Sequence, residues 1–237
     1  MSSPYNVITV SEGFHVIEEG VNVGVRMYLF EGAERAMLVD TGFGSGDLLA
    51  LCRTLTQKPI FVVHTHGDGD HVGCNGSFDE IYLHPADFAM YTAYKGSSRG
   101  LRPLYEGDII DLGTRRFEVL YLPGHTPGNV AFLDRENRLL ISGDPVQPAS
   151  GVIYMFGQWR NMDAYICSLE KLIGLSDSFA VLYPSHSELT LTPDVIPQVL
   201  EAARLLLSGR VEGIDMGAEK KYRLFKCGGA NFYYDKY

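Results

Sequence analysis

The stretch THGDGDHVG, residues Thr65–Gly73, carries four side chains of metal-binding type within six residues. They are His66, Asp68, Asp70 and His71. Glycines stand between them, and because glycine lets the backbone turn tightly, such a loop can direct several side chains at one point. Imidazole nitrogens and carboxylate oxygens bind divalent transition metals. The stretch therefore predicts a metal site in a loop that follows the apolar run PIFVVHT.

Three further candidate ligands lie where other strands are predicted to end. His125 is in LPGHTPGN, Asp144 is in LLISGDP and His186 is in VLYPSHSE. Strand ends at one rim of a packed sandwich can present side chains into a common cleft while the scaffold holds them in place. We therefore expect these three residues to join the four of the loop in one centre.

Alternating and apolar runs predict many strands and several helices along the chain. The predicted strands are Val7–Val10, Phe14–Glu19, Val25–Phe30, Ala36–Asp40, PIFVVHT, EIYLH, DIIDL, RFEVLYL, VAFLD, RLLISG and FAVLYP, with RLFKC and NFYYD as edge strands in the tail. The predicted helices are DLLALCRTL, PADFAMYTAYK, NMDAYICSLEKLIG and PDVIPQVLEAARLLLSG. This order predicts an α+β fold, a four-layer αββα sandwich of two sheets covered by helices. No low-complexity linker interrupts the chain, so residues 1–237 are predicted to form a single domain.

Charge and composition argue against several classes of function. The formal net charge is -9 and no basic run occurs, so nucleic acid is not an expected partner. No apolar run approaches the roughly 20 residues that span a bilayer. The N-terminus also lacks the basic and apolar regions of an export signal, and the four cysteines are scattered. We expect a cytoplasmic protein that acts on a small molecule, without membrane association, and leave homo-oligomerisation open.

Five motifs occur in the order found in the metallo-β-lactamase fold superfamily. They are MLVDTGFG, THGDGDHVG, LPGHTPGN, LLISGDP and YPSH. The chain resembles this superfamily over nearly its whole length, and most of all its glyoxalase II-type branch of hydrolases. The resemblance implies two divalent metal ions about 3.5 Å apart, joined by a hydroxide and by a carboxylate that matches Asp144. It assigns to the first metal His66, Asp68 and His125, and to the second Asp70, His71 and His186.

Asp68 departs from the HxHxDH signature of the superfamily, which has histidine at this second position. An alternative alignment begins the motif at His64 and makes His64 and His66 the first ligands, but it leaves two extra residues before Asp70. The gapless alignment is preferred because it needs no insertion in a tight loop. A third carboxylate makes the two-metal core neutral, which predicts weaker activation of water. It also shifts the metal preference from zinc towards iron or manganese, as in flavodiiron proteins, which commonly carry a carboxylate here.

Three functions are compatible with these residues. The leading hypothesis is a metallo-hydrolase in which the bridging hydroxide attacks a small ester, thioester or phosphoester. Asp70 would orient the hydroxide or pass its proton to the leaving group, which makes it the candidate catalytic residue. The alternatives are a diiron redox enzyme acting on oxygen, nitric oxide or sulfur compounds, and a metal-bound module without catalytic activity. Glutathione thioesters are not expected, because nothing after Thr190 matches the basic helical region of true glyoxalase II enzymes.

Residues near the seven candidates have predicted supporting roles. Asp40 and Thr41 match a motif that usually supports such a site without touching metal. His64 is expected at most to form hydrogen bonds beside the site, and Cys74 to pack as a small apolar group. Four side chains after Asp144 could equally form the wall of a substrate pocket or pack the loop down onto the protein. They are Tyr154, Phe156, Trp159 and Arg160, in a loop predicted over Gly151–Arg160.

Overall fold

Sixteen strands and four α-helices occur in the part of the chain that the computed structural model describes, residues 3–20, 24–217 and 219–235. The strands are β1 Tyr5–Ser11, β2 Phe14–Glu19, β3 Val25–Glu31, β4 Ala36–Val39, β5 Ile60–Val63, β6 Ile81–Leu83, β7 Leu101–Pro103, β8 Ile109–Asp111, β9 Arg116–Tyr121, β10 Val130–Asp134, β11 Leu139–Gly143, β12 Ile153–Met155, β13 Val181–Pro184, β14 Ile214–Asp215, β15 Tyr222–Cys227 and β16 Ala230–Asp235. The helices are α1 Leu48–Leu55, α2 Phe88–Lys95, α3 Met162–Gly174 and α4 Val195–Leu207. Among the described residues, no helix combines the length and the apolar character needed to cross a membrane.

Two large sheets pack face to face and enclose an apolar core. One has seven strands in the order β1-β2-β3-β4-β5-β6-β7, antiparallel as far as β4 and parallel from there on. The other has five strands in the order β13-β11-β10-β9-β8, with β13 parallel to β11 and the other pairs antiparallel. Between the sheets, Phe30 stacks on Phe14 with ring centroids 4.3 Å apart and meets Phe117 of the opposite sheet at 4.7 Å. Apolar side chains on the facing sides of both sheets thus form the core.

Helices cover the outer face of each sheet. Helix α1 buries Leu48 and Cys52 in one apolar cluster with Leu38 of the seven-stranded sheet. Helices α3 and α4 place Leu169 and Ile196 in a cluster with the outer side chains of the five-stranded sheet. The layers run helix, sheet, sheet, helix, and the predicted αββα sandwich is confirmed.

A third sheet, of four strands in the order β12-β16-β15-β14, is separate from the two packed sheets. The prediction that RLFKC and NFYYD are edge strands is wrong, because β15 and β16 each pair on both sides. Phe225 and Phe232 of this sheet are buried in the same apolar cluster as α3 and α4. The sequence did not predict this third sheet because β12 and β14 have only three and two residues and lie in segments whose sequence is typical of loops.

The loops that carry the predicted ligands leave the strands at one rim of the sandwich. Strands β4 and β5 are parallel, so the loops after them begin at the same edge of the seven-stranded sheet. Strands β11 and β13 are parallel in the other sheet, which brings Asp144 and His186 to one edge. A hydrogen bond of 2.8 Å from the Val130 backbone N–H to the Thr65 carbonyl joins the two sheets at this rim. Strand ends from both sheets therefore supply the candidate site.

Candidate metal centre

The seven side chains singled out by the sequence meet at this rim. Two groups of three each place one ligand atom per residue within 4.8 Å of the others. The first group is His66, His125 and Asp144, and the second is Asp70, His71 and His186. Oδ2 of Asp68 lies beside the first group, 3.3 Å from Nε2 of His66 and 3.2 Å from Nε2 of His125. The fold thus brings these residues together, and their binding of metal stays a prediction.

Asp144 connects the two groups through its two carboxylate oxygens. Its Oδ2 lies 3.5 Å from Nε2 of His125. Its Oδ1 lies 3.3 Å from Nε2 of His71 and 3.4 Å from Nε2 of His186. A carboxylate can bridge two ions with one oxygen on each, and the two oxygens of Asp144 are arranged in this way.

The spacing and pairing of these atoms fit divalent ions. Four ligands placed tetrahedrally at about 2.0–2.1 Å from an ion stand about 3.3–3.4 Å from one another. The distances from imidazole nitrogens to carboxylate oxygens in the cluster run from 3.2 to 3.7 Å. Several buried atoms of the described residues make no hydrogen bond, and four of them face one another across the cluster: Nε2 of His66, His71 and His125, and Oδ1 of Asp144. Because buried polar atoms are almost always paired, a cation would complete the pairing of these four.

Hydrogen bonds at the far ring nitrogen fix the direction of two of the imidazoles. Nδ1 of His71 lies 2.8 Å from Oδ2 of Asp40. Nδ1 of His66 lies 2.9 Å from the Thr65 hydroxyl, which donates its own proton to Asp40 at 2.7 Å. Each Nδ1 therefore carries a hydrogen, which makes each Nε2 the nitrogen that would bind a metal ion.

Asp40 and His64 support the cluster from beneath without facing it. Asp40 has a backbone φ of 61°, uncommon for a residue other than glycine, and its Oδ1 accepts the Thr65 backbone N–H at 2.9 Å. Nδ1 of His64 lies 3.2 Å from Oδ1 of Asp40, and its Nε2 lies 2.9 Å from Oδ1 of Asn75. Burial alone would raise the pKa of Asp40, but His71 and His64 hold it well below its ordinary value. Both nitrogens of His64 are thus engaged away from the cluster, while Asp68 faces it.

Burial and neighbouring charges shift the pKa values of His125 and His186 in opposite directions. Burial lowers the pKa of His125 to about 4. Burial would also lower the pKa of His186, but Asp144 and Asp70 raise it to about 10. Nδ1 of His186 donates to the Gly24 carbonyl at 2.8 Å, which directs Nε2 to the carboxylates. Divalent ions, if bound, would bring positive charge to this acidic cluster.

Asp87 ties two of the ligand loops together, and sequence reasoning missed it. Its buried carboxylate accepts hydrogen bonds from the Gly67 N–H at 2.9 Å, the Thr126 hydroxyl at 2.7 Å and the Gly128 N–H at 2.6 Å. A β-carbon at Gly128 would lie 2.7 Å from the carboxyl carbon of Asp87, so this close approach requires glycine. The sequence contains one indirect indication of this residue. THGDGDHVG and LPGHTPGN each have glycines near a candidate ligand, and a glycine often marks a place where another group packs closely against the backbone.

The cluster opens into a cleft of about 970 Å³. Six aromatic side chains line it: Phe43, Tyr94, Tyr154, Phe156, Trp159 and Tyr233. The segment predicted as a loop over Gly151–Arg160 contains strand β12, so that prediction is wrong at Ile153–Met155. Its side chains line the cleft, and Tyr154 and Phe156 also pack on other rings. Their centroids lie 5.0 Å from that of Tyr233 and 4.7 Å from that of Tyr222, respectively. Arg160 is the only lysine or arginine among the described residues that line this cleft.

Comparison with known proteins agrees with this geometry. Residues 21–206 match the sequence pattern of the metallo-beta-lactamase superfamily. The acyl-coenzyme A thioesterase MBLAC2 of Gallus gallus is 27% identical over 219 residues, which cover 76% of this chain and 77% of that protein. A hydroxyacylglutathione hydrolase of Francisella tularensis is 32% identical over 134 residues, which cover 56% of this chain and 50% of that enzyme.

Solved structures give the same result. The protein TTHA1623, in a di-iron-bound form, has a TM-score of 0.61 and 32% identity, with 72% of this chain and 90% of that chain covered. A metallo-beta-lactamase from Pontibacter korlensis has a TM-score of 0.71 and 17% identity, with 84% of this chain and 99% of that chain covered, and shows the fold alone. The resemblance based on the five motifs is therefore confirmed.

Replacing Asp87 with Asn tests whether this residue joins the two loops. An amide offers one acceptor oxygen in place of two and turns its own hydrogens towards the remaining donors. We expect the free energy of unfolding to fall by about 2–3 kcal/mol, as measured by chemical denaturation. Thr126→Val removes one of the three donors and should cost about 1 kcal/mol. An Asp87→Asn protein as stable as the wild type would show that the loops do not depend on this carboxylate.

Proposed function

The chain belongs to the metallo-beta-lactamase superfamily, and from this membership we propose that it is a metal-dependent hydrolase of small esters or thioesters. The observation that carries the proposal is the convergence of three unpaired, buried imidazole nitrogens and Asp144 beside an aromatic cleft. Relatives named as an acyl-coenzyme A thioesterase and a hydroxyacylglutathione hydrolase support a thioester as substrate. Phosphoesters are the third class in this proposal.

Two divalent ions are proposed to bind at the rim. The first would be held by His66, Asp68 and His125, the second by Asp70, His71 and His186, and both by Asp144. When bound, the ions supply an activated water as nucleophile and polarise the bond to be cleaved. Zinc, iron and manganese all accept nitrogen and oxygen ligands, and the additional carboxylate of Asp68 favours iron or manganese. The di-iron form of TTHA1623 supports iron as the first ion to test.

Asp70 is proposed to carry the proton of the reaction. Among the described residues, its ion-pair contacts are made by Oδ2. This atom lies 3.3 Å from Nε2 of His186 and 3.7 Å from Nε2 of His71. The side chain is 28% exposed and lines the cleft. Its Oδ1 can accept a proton from the attacking water and deliver it to the leaving group.

The aromatic walls suit a substrate with an apolar acyl or aryl group. Phe43 and Tyr94 are 48% and 55% exposed, so their rings are available to such a group. The Phe43 loop is held by the buried carboxylate of Glu19, which accepts the backbone N–H groups of Phe43 at 2.7 Å and Ser45 at 2.6 Å. Each Å² of apolar surface buried contributes about 25 cal/mol, so substrate affinity should rise with the size of the apolar group.

The cellular setting is also a proposal. We infer that the protein acts in the cytoplasm on a small molecule, as one domain over residues 1–237 and without nucleic acid. The scattered cysteines and the formal net charge of -9 support this setting.

A substrate panel with metal analysis tests the proposed function. Protein loaded with iron, manganese or zinc should hydrolyse acyl or aryl thioesters, esters or phosphoesters, with apolar thioesters as the best substrates. His125→Ala should bind about one ion fewer per chain and lose hydrolysis, because the first group loses an imidazole. His84→Ala is the matched control, because His84 stacks on Tyr121 and lies outside both groups.

The panel also separates the alternatives. Reduction of oxygen or nitric oxide without hydrolysis would replace the proposal with a diiron redox enzyme. Stable metal binding without turnover of any compound would favour the binding module. Unchanged metal content in His125→Ala would contradict the proposed ligand set.

Asp70→Asn tests the proton-carrying role. The amide keeps an oxygen for the metal but cannot exchange a proton at neutral pH. We expect kcat per bound ion to fall by about 10²–10⁴-fold, with metal content measured on the same sample. A loss of activity that only parallels a loss of metal would assign Asp70 to metal binding alone.

A further inference from the structure

Resting on the proposed function, we propose that Arg160 is the positioning residue that makes Asp68 compatible with a catalytic metal pair. Its guanidinium would hydrogen-bond the carboxylate of Asp68 while that carboxylate also binds the first ion. The positive charge of the guanidinium would offset the additional negative charge of Asp68 and weaken the bond from its oxygen to the ion. No other residue of the cleft lining among the described positions carries a lysine or arginine charge.

The contact between Arg160 and Asp68 is short and largely buried. Nη2 of Arg160 donates to Oδ2 of Asp68 at 2.6 Å, and the side chains are 12% and 13% exposed. The same Oδ2 faces Nε2 of both His66 and His125. A charge-assisted hydrogen bond in such a partly dry site is stronger than one on the surface. The oxygen that would bind the first ion is therefore also the oxygen that the guanidinium holds.

The backbone places Arg160 at this point by several independent contacts. Its Nε donates to the Tyr154 carbonyl at 3.2 Å, and its backbone N–H donates to the Gly157 carbonyl at 3.2 Å. The backbone N–H of the next residue, Asn161, donates to the carbonyl oxygen of Gly124 at 2.9 Å. Gly124 directly precedes His125, a candidate ligand of the first ion. Arg160 is thus attached both to the cleft wall and to the loop of the first group.

Charge explains why this residue is needed. Two divalent ions with three carboxylates and a hydroxide form a neutral core, and a histidine at position 68 would leave one positive charge. The guanidinium of Arg160 restores that one positive charge. It also competes with the ion for electron density on Oδ2, so the first ion stays a stronger Lewis acid than a free Asp68 carboxylate would permit.

A pair of Arg160 variants tests this inference through metal affinity, measured by competition with a chelator. Arg160→Gln removes the charge, frees Asp68 for the ion and should tighten binding of the first ion by about tenfold or more. Arg160→Lys keeps a cation beside Asp68 and should stay within about threefold of the wild type. Arg160→Met, also uncharged, replaces the Gln variant if that protein does not fold.

The substitution Asp68→His provides the decisive background. With histidine at position 68 the guanidinium has no carboxylate to hold, so Arg160→Gln can relieve only its repulsion of the ion and should tighten binding at least about threefold less than in the Asp68 background. Unchanged or weaker metal binding in Arg160→Gln alone, or an equal gain in both backgrounds, would overturn the inference. A wild-type protein that binds no metal would instead overturn the proposed function, so the two failures are distinguishable.

Discussion

The buried carboxylate of Asp40 sets the direction of the imidazoles on which the site depends. It accepts the proton of the Thr65 hydroxyl and lies 2.8 Å from Nδ1 of His71. The Thr65 oxygen in turn fixes Nδ1 of His66, so the Nε2 atoms of both histidines face the cluster. Asp40 follows directly after β4 in a left-handed backbone conformation, so this direction is set where the sheet ends. Two nitrogens that we propose bind metal therefore owe their position to one residue that does not face the cluster.

Two sets of acidic side chains lie at the rim, and they have different roles. One set is buried beneath the loops and accepts their hydrogen bonds: Glu19, Asp40 and Asp87. The other set lines the cleft, with imidazoles and a guanidinium as its partners: Asp68, Asp70 and Asp144. The first set holds the loops in place. The second set concentrates negative charge, which favours the binding of cations. Divalent ions bound there would place positive charge within a protein of formal net charge -9.

Local patterns in the sequence predicted the sandwich and the loops that carry the candidate ligands. They did not predict contacts between residues that are far apart in the chain. Period-two alternation and glycine-rich motifs report on neighbouring residues, and they located both sheets and the seven candidate ligands. The pairing of Arg160 with Asp68 joins residues 92 positions apart, and no pattern in either segment indicates it. The choice between His64 and Asp68 also needed the fold, because only the hydrogen bonds of His64 show that it faces away. Cys74 packs as expected, in one apolar cluster with Leu48 and Phe78.

The central claim, two ions held by these seven side chains, is tested most directly by anomalous scattering at metal absorption edges. The crystals should come from protein purified without added metal and then, separately, from metal-loaded protein. We predict two peaks, one about 2.0–2.2 Å from the donor atoms of His66, Asp68 and His125, and one at the same distance from those of the second group. Both peaks should be in contact with Asp144. A metal-loaded crystal without a peak at this rim, or with an ion bound to His64 and Asp68 turned away, would contradict it.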